Sequence, residues 1–546
     1  MVHLSLAVIT LASLVTAGPV QRDAASYVGL STSNVYPPTG TAPNPTVFPP
    51  ESVVGFVQPT PTGAEPFAVE TAASYPQLDN IYPLVVPAPL NGEKEFQINR
   101  YWGNLSPKFS VNSSVYGLPK ATPIIPDDCE ITQFFTYFRH GARYPTSGSA
   151  PSAFAAKLHN ATTSGFNATF DLAFLNTWRY QLGAELLTPF GREQDFQWGI
   201  AARQLYGRLL NNFTESETLP VFRTESQDRM VKTMLNFVAG FFGIPEYQQE
   251  VNIEIMVEAA GYNDTGAPYD LCPNANNARG SVGTKAATEF VQPYLEKAAE
   301  RLNKCLSGSL SLDASDVNAM IQLCAYETQA LGYSAFCHLF TEEDFQAFEQ
   351  YARSFDILFA GNFGFQSPVA AALGKGYLQE FIARLNHTLI SRYDSETNST
   401  LDDNTTTFPL NQSIYADAAH EVSIMDALTA LNLTALTAVG YPPTSGLASN
   451  YTYIASRIVP FATSFQVQVV QCGETNPSKL IRMILNDAVL PLSYPGCEWN
   501  EDGFCAYDTV LKGLIQRSEE IDYEYACYGN YSVPEYGTIF NGLAPK

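Results

Sequence analysis

Along the chain, short runs of β-branched and aromatic residues alternate with longer stretches whose apolar positions recur every three to four residues, the signature of strands interleaved with helices. Ile131 to Phe138 (ITQFFTYF) reads as a strand, with Arg139-His140 at its C-terminal end and a Gly/Pro turn beyond. Leu219 to Thr224 (LPVFRT) predicts a second strand ending near Arg223. Ser226-Gln227-Asp228 then caps a helix over RMVKTMLNFVAGFFG, which stops at glycine. Ser413 to Ala419 (SIYADAA) predicts a third strand, followed by His420-Glu421 and the amphipathic run VSIMDALTALNL.

Long helical patterns, such as TEFVQPYLEKAAERLNKCL and TEEDFQAFEQYARSFDILF, fill the intervals between these units, and no internal repeat is present. The pattern predicts an α/β lobe over approximately 96–147, 216–284 and 386–546, with a mostly helical lobe inserted over approximately 148–215 and 285–385. Two lobes are expected because this length exceeds what one compact core usually holds. Open α/β sheets place ligand sites at the carboxyl ends of their strands, where helix N-termini point N–H groups at anions. Three strand-to-helix junctions could therefore converge on one anionic group.

Periodicity is absent before residue 96. Residues 1–17 form a short apolar run ending Val15-Thr16-Ala17, which reads as a secretory signal peptide, and 18–95 are rich in Pro, Thr, Ser, Gly and Ala, a composition expected to be disordered. The formal charge of −24, from 30 Lys+Arg against 54 Asp+Glu, argues against nucleic acid and anionic membrane as partners and suits work in acid. Asn-x-Ser/Thr acceptors begin at Asn104, Asn112, Asn160, Asn167, Asn212, Asn263, Asn386, Asn398, Asn404, Asn411, Asn432, Asn450 and Asn530. So many acceptors predict a secreted, extracellular, glycan-coated protein. Nine cysteines without a CxxC pair or His/Cys cluster favour disulfides over metal sites.

On that acidic background, FRHGARYP crowds two guanidiniums around one of only six histidines. A phosphoryl group needs fixed donors, and arginine's planar fork suits it best, so Arg139, Arg143 and Arg223 are the candidate phosphate ligands. A neutral imidazole can attack phosphorus, which makes His140 the candidate nucleophile, and a carboxyl group beside His420, Glu421, can protonate a leaving alkoxide. Asp417 and Asp426 are poorer donors because neither adjoins that histidine. Arg229 reads as structural, paired with a carboxylate on its own helix.

FRHGARYPT, VFRTESQDRMVKTMLNFVAGFFG and AAHEVSIMDALTAL together resemble the signature regions of the histidine acid phosphatases, in their secreted fungal branch of acid phosphatases and phytases. The likeness covers nearly everything after the N-terminal segment. It implies a phosphoglycerate-mutase-like α/β lobe with a central mixed sheet, and no cofactor or metal. It also implies that His140 forms the phosphohistidine, that Arg139, Arg143, Arg223 and His420 bind phosphate, and that the residue after His420 donates the proton. Most of the family has Asp there, whereas this chain has Glu421, one methylene longer and of similar acidity. The pairing implied for the cysteines is Cys129 with Cys472, Cys272 with Cys527, Cys324 with Cys337 and Cys497 with Cys505, leaving Cys305 free and expected to be buried.

The sequence thus predicts an acid phosphatase acting on small phosphate monoesters with broad specificity. Phytase activity, as a 3-phytase, is the alternative. A glycoprotein that binds phosphorylated ligands with poor turnover is the reading from another class. Oligomeric state is left open.

Overall fold

The computed structural model describes residues 96–350, 355–448, 450–473 and 478–546. The expected signal peptide and Pro/Thr-rich segment lie outside the described residues.

A mixed sheet organises the chain. Its order from one edge is Cys505–Ala506, Ser478–Leu485, Ser464–Cys472, Cys129–Arg139, Ile414–Ala419, Val221–Glu225 and Asn252–Met256, with Ala488–Leu490 paired to Ser478–Leu485. Strand Cys129–Arg139 is central, parallel to Ile414–Ala419 and antiparallel to Ser464–Cys472. Its aromatic run serves both faces: Phe134 and Phe138 enter one core cluster, and Phe135 and Tyr137 the other. Alternation of Cβ direction along a strand requires this split. Ile414–Ala419 is buried at every position, as befits a strand covered on both faces.

On one face, helix Asp228–Phe242 presents Met230, Met234, Phe237 and Phe241 to Phe134, Phe138 and Phe222. Helix Pro189–Tyr206 joins the same cluster through Trp198, Ala202 and Tyr206. That helix was expected in the inserted lobe; here it covers the sheet instead. Helices Ala150–Ser164, Val282–Asn303 and Ala314–Leu331 pack around the other cluster.

The four disulfides join the cysteines in the implied pairs. Cys129 and Cys472 face each other directly across the antiparallel ladder. Cys305 is free and only partly buried, so the expectation of full burial is corrected: it sits where helix Val282–Asn303 gives way to the short strand Leu306–Gly308. Among the described residues no helix is long and apolar enough to cross a membrane. The asparagines of twelve acceptors are at least partly exposed, but Asn104 is 6% exposed and faces inward, so its reading as a glycan acceptor is corrected.

Candidate active site

The parallel register sets the ends of the three predicted strands side by side. Arg139 lies opposite Ala419, so His140 and His420 leave the sheet together, with ring centroids 5.8 Å apart. Helix Glu421–Ala430 starts immediately after His420, which puts Glu421 in its first turn. There the Arg139 guanidinium meets it, with Nε at 3.1 Å and Nη2 at 3.0 Å from the same oxygen, Oε2. Arg139 itself is fully buried: Nη1 donates to the carbonyls of Asn104 and Val459, and its guanidinium lies 4.4 Å from the centroid of the Phe461 ring.

His140 is fully buried, and its Nδ1 lies 2.8 Å from the Gly141 carbonyl. A carbonyl only accepts, so Nδ1 carries the proton and Nε2 keeps its lone pair. Nε2 makes no hydrogen bond and lies 3.6 Å from Glu421 Oε2. Burial, with the Arg139 charge, holds the imidazole well below its usual pKa and therefore neutral.

The loop carrying His140 is fixed by close backbone packing. Thr188 N donates to the Ala142 carbonyl at 2.9 Å, and Ala142 N donates to Gln194 Oε1 at 2.9 Å. A Cβ on Gly141 would stand 2.1 Å from the Gly191 carbonyl oxygen, and one on Gly191 would stand 1.9 Å from the Ala142 oxygen. Neither position admits a side chain.

Arg143 is buried at the same mouth, with Nη1 donating to the Tyr144 carbonyl at 3.0 Å. Arg229, in the first turn of helix Asp228–Phe242, joins it. Its Nη1 meets Glu185 Oε2 at 2.9 Å, and its Nη2 lies 3.5 Å from His420 Nδ1. Burial and the nearby Arg143 charge lower the Arg229 pKa. The reading of Arg229 as bound to its own helix is therefore corrected: its partner is on another segment, and it faces the histidines. The Nε atoms of Arg143 and Arg229 are buried without a hydrogen bond.

Arg223 is elsewhere. Its strand runs on to Glu225, so Arg223 sits two residues short of the end, level with Asp417. There its guanidinium contacts Glu380 at 3.1 Å and Asp402 at 3.2 Å, with Glu254 at 3.7 Å. Satisfied by carboxylates and buried, it is not among the groups around His140, which corrects its reading as a phosphate ligand. The Arg-x5-Arg spacing brought both arginines into view, and the strand register decides between them: Arg223 lies inside the sheet, whereas Arg229 opens the helix beyond its edge.

Glu421 is also held by Asn104, whose Nδ2 donates to Oε1 at 3.2 Å. Burial alone would raise its pKa, but Arg139, His140 and Arg143 together outweigh this and hold the carboxyl well below the ordinary range. His420 Nε2 turns away from His140, toward Glu225 Oε2 at 2.6 Å and Glu258 Oε2 at 3.1 Å. Two donor clusters close enough to consider for a metal ion occur among the described residues: His140, His420 and Glu421, and Glu225, Glu258 and His420. The two clusters share His420, and the Arg229 charge bears on the histidines of both.

Residues 130–486 match the sequence profile of the histidine phosphatase superfamily, branch 2. The chain is 32% identical to phytase A of Aspergillus oryzae over 435 residues, covering 76% of this chain and 88% of that one. It is 29% identical to phytase A of Neurospora crassa over 470 residues, covering 76% and 89%. In fold it is similar to the crystal structure of the phytase from D. castellii, with a TM-score of 0.64, 24% identity, and coverage of 80% of this chain and 89% of that one. The mixed α/β fold, the paired histidines and the extent of these matches lead to one assignment: the chain belongs to the histidine phosphatase superfamily, branch 2.

Proposed function

We propose that this phosphatase is a secreted acid phosphatase of broad specificity that hydrolyses phosphate monoesters through a phosphohistidine at His140. One observation carries the reading: the His140 proton is committed to the Gly141 carbonyl, leaving Nε2 unprotonated and 3.6 Å from Glu421 Oε2.

Phosphate oxygens are bound by Arg139, Arg143, Arg229 and His420, with Arg229 taking the role first read for Arg223. The His140 Nε2 lone pair attacks phosphorus and the bond to the leaving oxygen breaks, while Glu421 gives that oxygen its proton. Water then attacks the phosphohistidine, Glu421 takes the water's proton, the P–N bond breaks, and phosphate leaves. The arginines stabilise the charge that spreads over the phosphoryl oxygens.

Glu421 must be protonated for the first step, although Arg139 favours its anion in the free enzyme. A bound phosphate engages Arg139 and adds negative charge beside the carboxyl, and both raise its proton affinity. Acid conditions complete the protonation.

Phytate is the second reading, supported by similarity to fungal phytases over most of the chain. Secretion is supported by four disulfides and by the exposed acceptor asparagines. The deciding experiment measures kcat/KM on p-nitrophenyl phosphate and on phytate across acid pH, beside a folded His140→Ala variant. Preference for the small ester supports the general phosphatase, and preference for phytate supports the phytase. Turnover that survives His140→Ala sinks the nucleophile assignment, and phosphate binding without turnover in the wild type returns the binding-protein reading.

A further inference from the structure

Behind the site lies a carboxylate that the two-step chemistry does not use. Glu225 is the last residue of strand Val221–Glu225 and has no exposed surface. Its Oε2 is 2.6 Å from His420 Nε2, and Glu258, the second carboxyl on that nitrogen, is in hydrogen-bond contact with Glu225. The carboxylate is also walled in: a Cβ on Gly266 would stand 2.3 Å from Glu225 Oε1. Burial pushes the Glu225 carboxyl well above the ordinary range, and the contact with His420 is what opposes this and favours the carboxylate–imidazolium pair.

We propose that Glu225 is a positioning residue that keeps His420 cationic and turns its Nδ1 to the substrate phosphate. This rests on the reading of His420 as a phosphate ligand. With Nε2–H donated to Glu225, the ring plane is fixed and Nδ1 is the nitrogen that faces Arg229.

The groups around the imidazole come from every neighbouring element. Glu225 and, at 3.1 Å, Glu258 face Nε2, and Tyr269 donates to Glu258 at 2.7 Å. Arg229 faces Nδ1, His140 stands across at 5.8 Å between centroids, Glu421 adjoins in sequence, and Asp264 adds negative charge beside Glu225. Burial disfavours the imidazolium and Arg229 opposes it, but the two carboxylates prevail and raise its pKa to about 9. The raised value means that the cationic ligand is present throughout acid and neutral pH and is lost only as pH rises through about 9.

The test is Glu225→Gln, which keeps the shape and removes the charge. His420 should then titrate near the ordinary imidazole value. The variant-to-wild-type ratio of kcat/KM for p-nitrophenyl phosphate should stay within about threefold at pH 4 and fall by about tenfold at pH 7.5. The inhibition constant for inorganic phosphate should weaken over the same range. A ratio that is flat with pH, whether near one or uniformly low, overturns the proposal. His420→Ala is the control for the underlying reading: full activity there removes His420 from the ligand set, whatever Glu225 does. Should Glu225→Gln fail to fold, histidine 15N spectra of the wild-type chain decide, since a neutral His420 at pH 7 overturns the proposal and a cationic one supports it.

Discussion

Arg139 reaches Glu421 with two nitrogens on one oxygen, so the acid in this reading and the first of its phosphate ligands are already bound to each other in the free enzyme. Substrate must part them. The relationship couples phosphate binding to protonation of Glu421, because the anion that takes Arg139 also makes the proton cheaper to hold.

Glu421→Gln should therefore lower kcat/KM for alkyl phosphates by about 10²- to 10⁴-fold, the usual contribution of a positioned general acid. The loss on p-nitrophenyl phosphate, whose leaving group hardly needs a proton, should be much smaller. Equal losses on both esters would remove Glu421 from the donor role.

The two arginines of the second unit should separate cleanly. Arg229→Ala should raise the phosphate inhibition constant and KM while leaving the urea midpoint near that of the wild type. Arg223→Ala should instead cost about 3–5 kcal/mol in stability, because Glu380 and Asp402 would stay buried without their cation. Urea unfolding of both variants, together with phosphate inhibition, checks the pair; a stable Arg223→Ala with weakened phosphate binding would restore the assignment first made from the sequence.

Stability should decline as pH rises from about 4 to 7 through specific buried carboxyls. Burial pushes Glu327 up to about 7 and Asp264 up to about 6. Folded values raised above the unfolded ones give stability that is complete below the unfolded pKa, near 4, and is lost as pH rises through the folded value. For Glu327 this amounts to about 3 kcal/mol. Glu327→Gln should flatten the slope of stability against pH over this window, and an unchanged slope would contradict the assignment. In the wild type, Trp178 Nε1 and Ser334 Oγ both donate to this carboxyl, so the amide is also expected to lower stability at pH 4.

Asn104 should be unmodified in protein secreted from a glycosylating host. Its side chain donates to Glu421, and its carbonyl accepts from Arg139, so a glycan there could not coexist with the folded site. Glycopeptide mapping after enzymatic deglycosylation should find Asn104 unlabelled; labelling in active protein would refute the placement.

The three strand-to-helix junctions were legible because each combines a change of period with charged residues at the change. Strand ends were legible only to within two residues, and that margin misplaced Arg223: one further turn of the pleat separates the 223 row from the edge where Glu225 and Ala419 end. Arg229 was visible as half of an Arg-x5-Arg element, but choosing between its halves required the register. Glu225 and Glu258 carried no sequence signal, since what gives them meaning is an imidazole from the 420 region. Asn104 was read as a sequon because nothing local reveals a contact that spans 317 positions. The disulfides followed from the family resemblance rather than from spacing.

The interlocked glycines at 141 and 191 bear on how such an enzyme could be remade. A methyl group on Gly141 would strike the Gly191 backbone and one on Gly191 the Ala142 backbone, so the height of the nucleophile's loop above the helix beneath it has a single setting. Laboratory evolution toward a new ester would find no graded path at these two positions. Diversity would have to accumulate around the mouth, in segments such as those bearing Glu185 and Glu258, while the pair persisted unchanged in every active descendant.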